Sequence, residues 1–514
     1  MQVGDASRTQ LARVARGGAH NLAGAGISSI CGFALVVIVT NYFDADTAGT
    51  LFSSTSLFVV VTALAVFGSE TGIAHFMLKF EEEGRGGDLP ALLRTGRRTV
   101  LLLSIVLTIA GLAAADPIAG ALGLHDSSSP TLIRVLAVAV PFAAVSQFLL
   151  GETRAMGRMR PTVAVDLLIR PLSQLSGAWM VGIAGGGLIA LTISWSLPFV
   201  VLSFASAFLA RQLVRNRRVR WSGAPTVEQP VIRREFWRYT VPRGIAMLCQ
   251  VIIQRADIIL IAAIVGVEEA AVYTAATRFV AVGQMGVRAI QVALLARFSQ
   301  LIARRDMGTL ADVFKISTAW SMGALWPIYT ATASAAGLYL GIFGDGYRGS
   351  DGIWVVVTMA IGMMAATAAG PLDTLLLMSG RSVASLVNGV VAVIANVVLC
   401  LVLIPAWGIL GAAVAWTVAV IIRNAMAFVQ VVRDLGLTPF SRAGAVIAAA
   451  VALCYAAPLG TLSALDALSV PVFVAAFVAG SSLYGAIVWR ARGALALTAL
   501  RSATAEPNIP AVAG

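Results

Sequence analysis

Residues 365–432 constrain this chain more than any other stretch. They read AATAAGPLDTLLLMSGRSVASLVNGVVAVIANVVLCLVLIPAWGILGAAVAWTVAVIIRNAMAFVQVV. Three apolar segments are separated by only two punctuations, Gly380-Arg381-Ser382 and Ile404-Pro405-Ala406-Trp407-Gly408. Each segment approaches the roughly 20 residues that a helix needs to cross about 30 Å of hydrocarbon. Inside them sit Asp373, Asn388, Asn396 and Arg423. Polar groups at that depth need protein partners or a water-filled cavity, so they mark a pathway.

Composition extends the inference to the whole chain. It is 58% hydrophobic and only 12% charged, where soluble domains carry about 25% charged residues. The expected class is an all-α polytopic membrane protein, because long unbroken apolar runs rather than dyad alternation carry the signal. The net charge of +12 is almost all arginine, Lys79 and Lys315 being the lysines. It reads as the positive excess of cytoplasmic loops and not as a nucleic-acid surface. Cys31, Cys249, Cys400 and Cys454 lie inside apolar segments without metal-ligand spacing, so they read as small buried hydrophobes. Arg8, Arg13 and Arg16 precede an apolar run reaching Phe43, too long for a cleaved signal.

About fourteen spans are expected, at 19–42, 51–78, 99–119, 131–153, 162–183, 187–210, 241–265, 270–296, 314–342, 352–378, 383–404, 408–431, 443–460 and 469–489. Arginines crowd alternate connections, among them Arg94, Arg97, Arg98, Arg154, Arg215, Arg304, Arg381 and Arg433, while the intervening turns carry Asp and Glu. The positive-inside rule then places both termini in the cytoplasm. In VIRREFWRYTVPR, Ile232, Phe236 and Tyr239 share one helical face, which predicts a short interfacial helix on the inner leaflet. The outer turns are all short. That disfavours a membrane-bound glycan polymerase or ligase, which needs a long outer catalytic loop.

Landmarks recur at a nearly constant offset. Residues 46–52 with Phe58 match 267–273 with Phe279 at an offset of 221; Gly157-Arg158 matches Gly380-Arg381, and Gly185 matches Gly408, at 223. The repeat holds six spans, an even number, so both copies share one orientation. Two pseudo-symmetric six-helix lobes, 1–220 and 221–437, are expected around an axis along the membrane normal, with the substrate near the midplane. Residues 438–514 add spans 13 and 14 and a cytoplasmic tail.

No GxxxxGK[ST] loop is present, His20, His75 and His125 are dispersed, and no catalytic, metal or cofactor set emerges. What remains is a series of ionisable residues inside spans: Glu70 and His75, Asp166 and Arg170, Arg255 and Asp257, Arg278 and Arg288, and Asp373. Arginine suits an anionic headgroup because its planar fork stays charged and binds bidentately. A partly desolvated carboxylate can cycle a proton or hold sodium. Arg278 and Arg288 lie near three turns apart, close to one face. Arg255 and Asp257 are about 200° apart around their helix and cannot share a face.

Several stretches resemble the lipid-linked oligosaccharide (polysaccharide biosynthesis, Wzx-type) flippases of the multidrug/oligosaccharidyl-lipid/polysaccharide (MOP) exporter superfamily. They are residues 41–52 (NYFDADTAGTLF), the run from Arg255 to Leu260 followed by Val272-Tyr273, and the stretch from Ser379-Gly380-Arg381 through Asn396 to Ala413. The resemblance spans roughly 17–435. It implies a V of two lobes, as in the multidrug (MATE) exporters, around a cavity opened alternately to each side. It also implies transport of a polyprenyl-diphosphate-linked glycan to the outer leaflet of a bacterial inner (plasma) membrane. Such transport is coupled to a cation gradient, H+ or Na+, and works beside glycosyltransferases and a polysaccharide polymerase, with no nucleic-acid partner. On that reading Arg255, Arg278, Arg288, Asn388 and Asn396 contact substrate. Asp257, Glu70, Asp166 and Asp373 handle the coupling cation. Spans 13 and 14 resemble the extra pair of lipid II flippases, so a peptidoglycan precursor is the rival cargo. Span 2 lacks the arginine cluster that this cargo would call for. A drug or metabolite exporter is the remaining transport alternative.

Overall fold

Long apolar runs can enter hydrocarbon only if each backbone amide is satisfied within its own segment, and the helix does this. The computed structural model describes residues 2–124, 126–217, 226–491 and 493, and these are helical almost throughout. In order they form α1 Gln2–Tyr42, α2 Ala45–Val66, α3 Ser69–Glu82, α4 Leu89–Ala113, α5 Ala115–Ala121, α6 Ser129–Ala155 and α7 Arg160–Thr162. A π-helical segment, Val163–Ile169, follows. Then come α8 Arg170–Ile183, α9 Leu188–Arg217, α10 Gln229–Ile264, α11 Val267–Ala276, α12 Arg278–Ala303, α13 Met307–Ser334 and α14 Ala336–Gly341. The chain closes with α15 Ser350–Ala368, α16 Leu372–Met378, α17 Ser382–Leu435, α18 Arg442–Val451, α19 Ala457–Ala464 and α20 Val470–Arg490.

Ten of the described helical segments are long and apolar enough to cross a membrane, with α2 and α3 counting together as one and α18 through α19 as another. The expected spans 162–183, 270–296 and 314–342 are helical but interrupted, at the π-helical segment, at Thr277 and at Ala335. Two further expected spans, 383–404 and 408–431, fall within α17. This element cannot be one rod, because Asn388 and Gln430 exchange hydrogen bonds at 2.8 and 2.9 Å, whereas 42 residues of straight helix extend about 63 Å. The chain folds back at Pro405–Gly408, where Gly408 takes φ 55°, ψ −137°. The return is tight: a Cβ on Gly411 would lie 2.3 Å from the Leu403 carbonyl oxygen.

Two compact units emerge from the contacts. The first comprises residues 1–278, 342–347 and 389–416, and the second residues 279–341, 348–388 and 417–514. The expected lobe boundary at 220 lies in 218–225, outside the described residues.

In the first unit, α2 and α3 are one bent span. Phe67 (φ 40°) and Gly68 (φ 69°) both occupy the left-handed region, a strained pair for which a side chain at 67 is uncommon. The bend seats Gly68 against α10, where an added Cβ would stand 2.7 Å from the N and Cα of Gly244. Below it α3 lies along the start of α10. Gly72 leaves room for Phe236 and Thr240, His75 stacks on Tyr239 with ring centroids 4.0 Å apart, and Lys79 Nζ donates to Glu235 Oε1 at 2.6 Å. Residues 229–240 are therefore no separate interfacial helix. They are the first turns of α10, and their apolar face, Ile232 and Phe236, is buried by protein. The backbone N–H of Thr226 donates to Asp88 Oδ1 at 2.9 Å, tying the approach to α10 to the start of α4.

The two segments matched by the internal repeat meet directly. At their contact a Cβ on Gly49 of α2 would lie 1.7 Å from the Val267 carbonyl oxygen of α11. Some hydroxyls on α2 satisfy themselves by turning back: Ser53 Oγ donates to the Gly49 carbonyl and Ser56 Oγ to the Phe52 carbonyl, each at 2.7 Å.

Two apolar cores organise the second unit. One joins Phe298, Leu310, Phe314, Leu375 and Val431. The other joins Met322, Ile447, Cys454, Tyr455 and Leu459, bringing the C-terminal helices onto α13. Tyr484 Oη donates to the Gly323 carbonyl at 2.9 Å and fixes α20 there. All four cysteines are free.

Candidate functional site

A cavity of about 390 Å³ lies inside the first unit, within the size range of small-ligand pockets. Its walls come from α2, α3, α6, the π-helical segment, α8, α9 and α10, and they include Phe58, Glu70, Gln147, Arg154, Asp166, Arg170 and Phe199. The bend at Phe67–Gly68 puts Glu70 in the first turn of α3, aimed at α6. There Gly151 lets the Glu70 backbone approach, and Arg154 Nη2 donates to Glu70 Oε2 at 2.6 Å. Gln147, one turn before Gly151, also hydrogen-bonds Glu70. Opposite, Arg170 Nε donates to Asp166 Oδ1 at 2.8 Å. Asp166 sits within the π-helical segment, and such insertions recur at functional sites.

The cavity therefore holds two acid–base pairs and no net charge. Its polar groups are open to it: the Asp166 side chain is 41% exposed, Arg154 30% and Arg170 26%. An aromatic triad closes one side. Phe199 lies 5.2 Å from Phe58 and 5.3 Å from Trp195, centroid to centroid, and the Arg170 guanidinium stands 5.5 Å from the Phe199 ring.

A second polar cluster, also in the first unit, is sealed. Asp257 of α10 accepts from Asn396 Nδ2 at 2.7 Å, from Tyr273 Oη at 2.9 Å and, more weakly, from Cys400 Sγ at 3.6 Å. All four residues are buried. Every described partner of Asp257 is neutral, unlike those of Glu70 and Asp166. The Asn396 Oδ1 atom is also buried and has no hydrogen-bond partner among the described residues. A buried carboxylate without a cationic partner favours taking up a proton or a cation in a low-dielectric surrounding, and the bare amide oxygen beside it is a further acceptor.

The remaining expected site residues are placed as follows. Arg255, half-buried, has no ion-pair partner among the described residues. Arg278 is the first residue of α12 and half-buried. The Arg288 side chain lies outside the described ones. In the second unit Asn388 is fully buried, its amide paired reciprocally with Gln430. Asp373 accepts from Arg423 of α17 and from Ser385 Oγ at 3.2 Å.

Sequence reasoning missed Arg154 and Gln147 in the cavity, and the pair Arg97–Glu152. Arg97 donates from Nε and Nη2 to the two Glu152 oxygens at 2.7 and 2.6 Å, with Glu152 fully buried. Arg97 and Arg154 read as loop residues because the spans end early in hydropathy, whereas α4 begins at Leu89 and α6 continues to Ala155. The usable signal was the need of Glu70 for a cation, since a lone charge inside a span is costly.

Bent apolar helices long enough to cross a membrane, around a charge-paired interior, define a multi-pass membrane protein. A lipid II flippase, MurJ, in an inward closed conformation is similar over 91% of this chain and 98% of that one, at TM-score 0.72 and 12% identity. An inward-facing multidrug resistance MATE family transporter of the MOP superfamily is similar over 80% and 95%, at TM-score 0.66 and 14% identity. A MOP superfamily transporter from Pyrococcus furiosus is similar over 82% and 95%, at 0.58 and 14%. At these identities the likeness is one of fold, and the fold is that of the MOP superfamily. No curated protein matches the chain. The model of the family "Polysaccharide biosynthesis protein" matches residues 14–302, more than half the chain, and the protein belongs to that family.

Proposed function

We propose that this protein is a flippase that carries a polyprenyl-diphosphate-linked oligosaccharide from the cytoplasmic to the outer leaflet of a bacterial cell membrane. Transport runs by alternating access and serves cell-surface polysaccharide assembly, beside the glycosyltransferases and polymerase that make and consume the cargo. The supporting observation is the pairing of family membership with a polar cavity among membrane-spanning helices. Both termini lie in the cytoplasm, and the chain works as two six-helix lobes meeting near residue 220. Arg255, Arg278 and Arg288 contact the diphosphate, whose charge their guanidinium forks match.

A proton or sodium gradient drives the cycle, and Asp257 is its coupling group. Glu70, Asp166 and Asp373 already have arginine partners, whereas Asp257 has neutral donors only. The carboxylate there gains most from a proton or a cation, with the Asn396 oxygen as a further ligand.

The test uses purified protein in proteoliposomes with a polyprenyl-diphosphate-linked glycan, with and without an imposed proton or sodium gradient. Wild type moves the glycan faster under one gradient. Asp257→Asn, at normal abundance, loses at least tenfold of that rate and all dependence on the gradient. Gradient-independent transport by wild type would sink the coupling, and movement of organic cations but not of glycan would sink the cargo. Lipid II is the second reading, favoured by the extent of fold shared with the lipid II flippase. Saturable transport of lipid II in the same vesicles would establish it.

A further inference from the structure

The first-unit cavity has chemistry that the diphosphate and the coupling cation leave unused. Two carboxylates and two guanidinium groups line it, so no net charge is on offer to a diphosphate or to an organic cation. Each pair is incompletely satisfied. Among the described hydrogen bonds Asp166 Oδ2 has none, and the exposed faces of Asp166, Arg154 and Arg170 turn into the cavity. Half-open carboxylate and guanidinium groups together present acceptors and donors a few ångströms apart. A ligand satisfies both at once if it carries adjacent groups that each donate and accept.

Hydroxyls do this, and a row of them on a saturated ring matches the polar wall. The aromatic wall beside Arg170 supplies the other half of the match. Phe199, tilted against Phe58 and Trp195 at 50° and 56°, lines the cavity and offers it an apolar ring for a sugar's C–H edge. The volume, about 390 Å³, is that of a site for a small ligand and not for a polyprenyl chain.

We infer that this cavity binds a neutral hexopyranoside, the glycan headgroup of the cargo, beside Phe199 and against the Glu70–Arg154 and Asp166–Arg170 pairs. The inference rests on the flippase reading and adds to it a sugar site separate from the arginines assigned to the diphosphate. Gln147 and Ser146 on α6 lie within the same wall and extend the polar row.

The experiment uses the full-length protein in lauryl dimethylamine oxide, because glycosidic detergents would themselves occupy the site. Maltose, cellobiose and diacetylchitobiose are titrated while thermal unfolding is followed. At least one produces a saturable rise in Tm. Asp166→Asn and Phe199→Ala each weaken that response at least tenfold, and Phe440→Ala, an exposed ring in the second unit, leaves it unchanged. Phe199→Leu keeps the apolar bulk without the flat face, so it reports on stacking even if the alanine variant folds poorly. Absence of a saturable response to all three sugars overturns the inference, as does a response indifferent to Phe199→Leu and Asp166→Asn. Glycan transport without sugar binding removes the cavity site and spares the flippase. Sugar binding without glycan transport does the reverse.

Discussion

Arg97 and Glu152 show at single-residue scale how this interior tolerates charge. The two hydrogen bonds of the fork match every oxygen of a carboxylate that has no contact with solvent. Removing one partner strands the other, and a stranded buried charge costs about 3–5 kcal/mol. Arg97→Ala is therefore expected to lower stability by that amount, while Arg97→Met combined with Glu152→Leu recovers most of the loss. Denaturation of the purified variants in detergent measures both. Equal losses in the single and double variants would show that charge compensation is not what the pair supplies. The contrast with Glu70 is instructive, because its arginine partner is 30% exposed and opens on a cavity. Same chemistry, different access: one pair locks helices and the other lines a site.

At the scale of elements, bends determine where side chains go. Gly408 adopts a left-handed φ with open space around its missing Cβ, whereas Gly411 abuts the Leu403 backbone. Gly408→Ala should thus cost only backbone strain, about 1–3 kcal/mol. Gly411→Ala must displace the returning helix and should cost more. Reversal of that order in thermal unfolding would show that the fold-back at 405–408 is not as tight as described. This turn was legible in the sequence, since Pro405 and Gly408 interrupt an otherwise unbroken apolar run. The apolar runs themselves declared the helices for the same reason. The bend at Phe67–Gly68 was not legible. Nothing local forbids Phe67 an ordinary helical conformation, and the close approach of Gly244 to the bend comes from far along the chain. The cavity was legible in part. Glu70, Asp166 and Arg170 announced themselves as charges in apolar segments, while Arg154 was hidden by its place at a helix end. The neutral partners of Asp257 could not be read either, because a Tyr, an Asn and a Cys in spans are unremarkable until the fold assembles them.

Orientation belongs to the whole molecule. The arginine-rich ends and the acidic turns alternate along the chain, so single cysteines at Arg304 and Asp466 are expected to react with membrane-impermeant maleimide from opposite sides. Labelling of both from one side would overturn the topology. One contact also sets a clock on assembly. Gly49 and the Val267 carbonyl touch, yet they are more than two hundred residues apart in the chain. At synthesis rates of about 5–20 residues per second, α2 waits roughly 10–40 s for α11 to emerge. During that interval the small-residue face of α2 has no partner from this chain. The hydroxyls of Ser53, Thr55 and Ser56, folded back onto their own helix, reduce the polar surface that the segment carries through that wait in lipid.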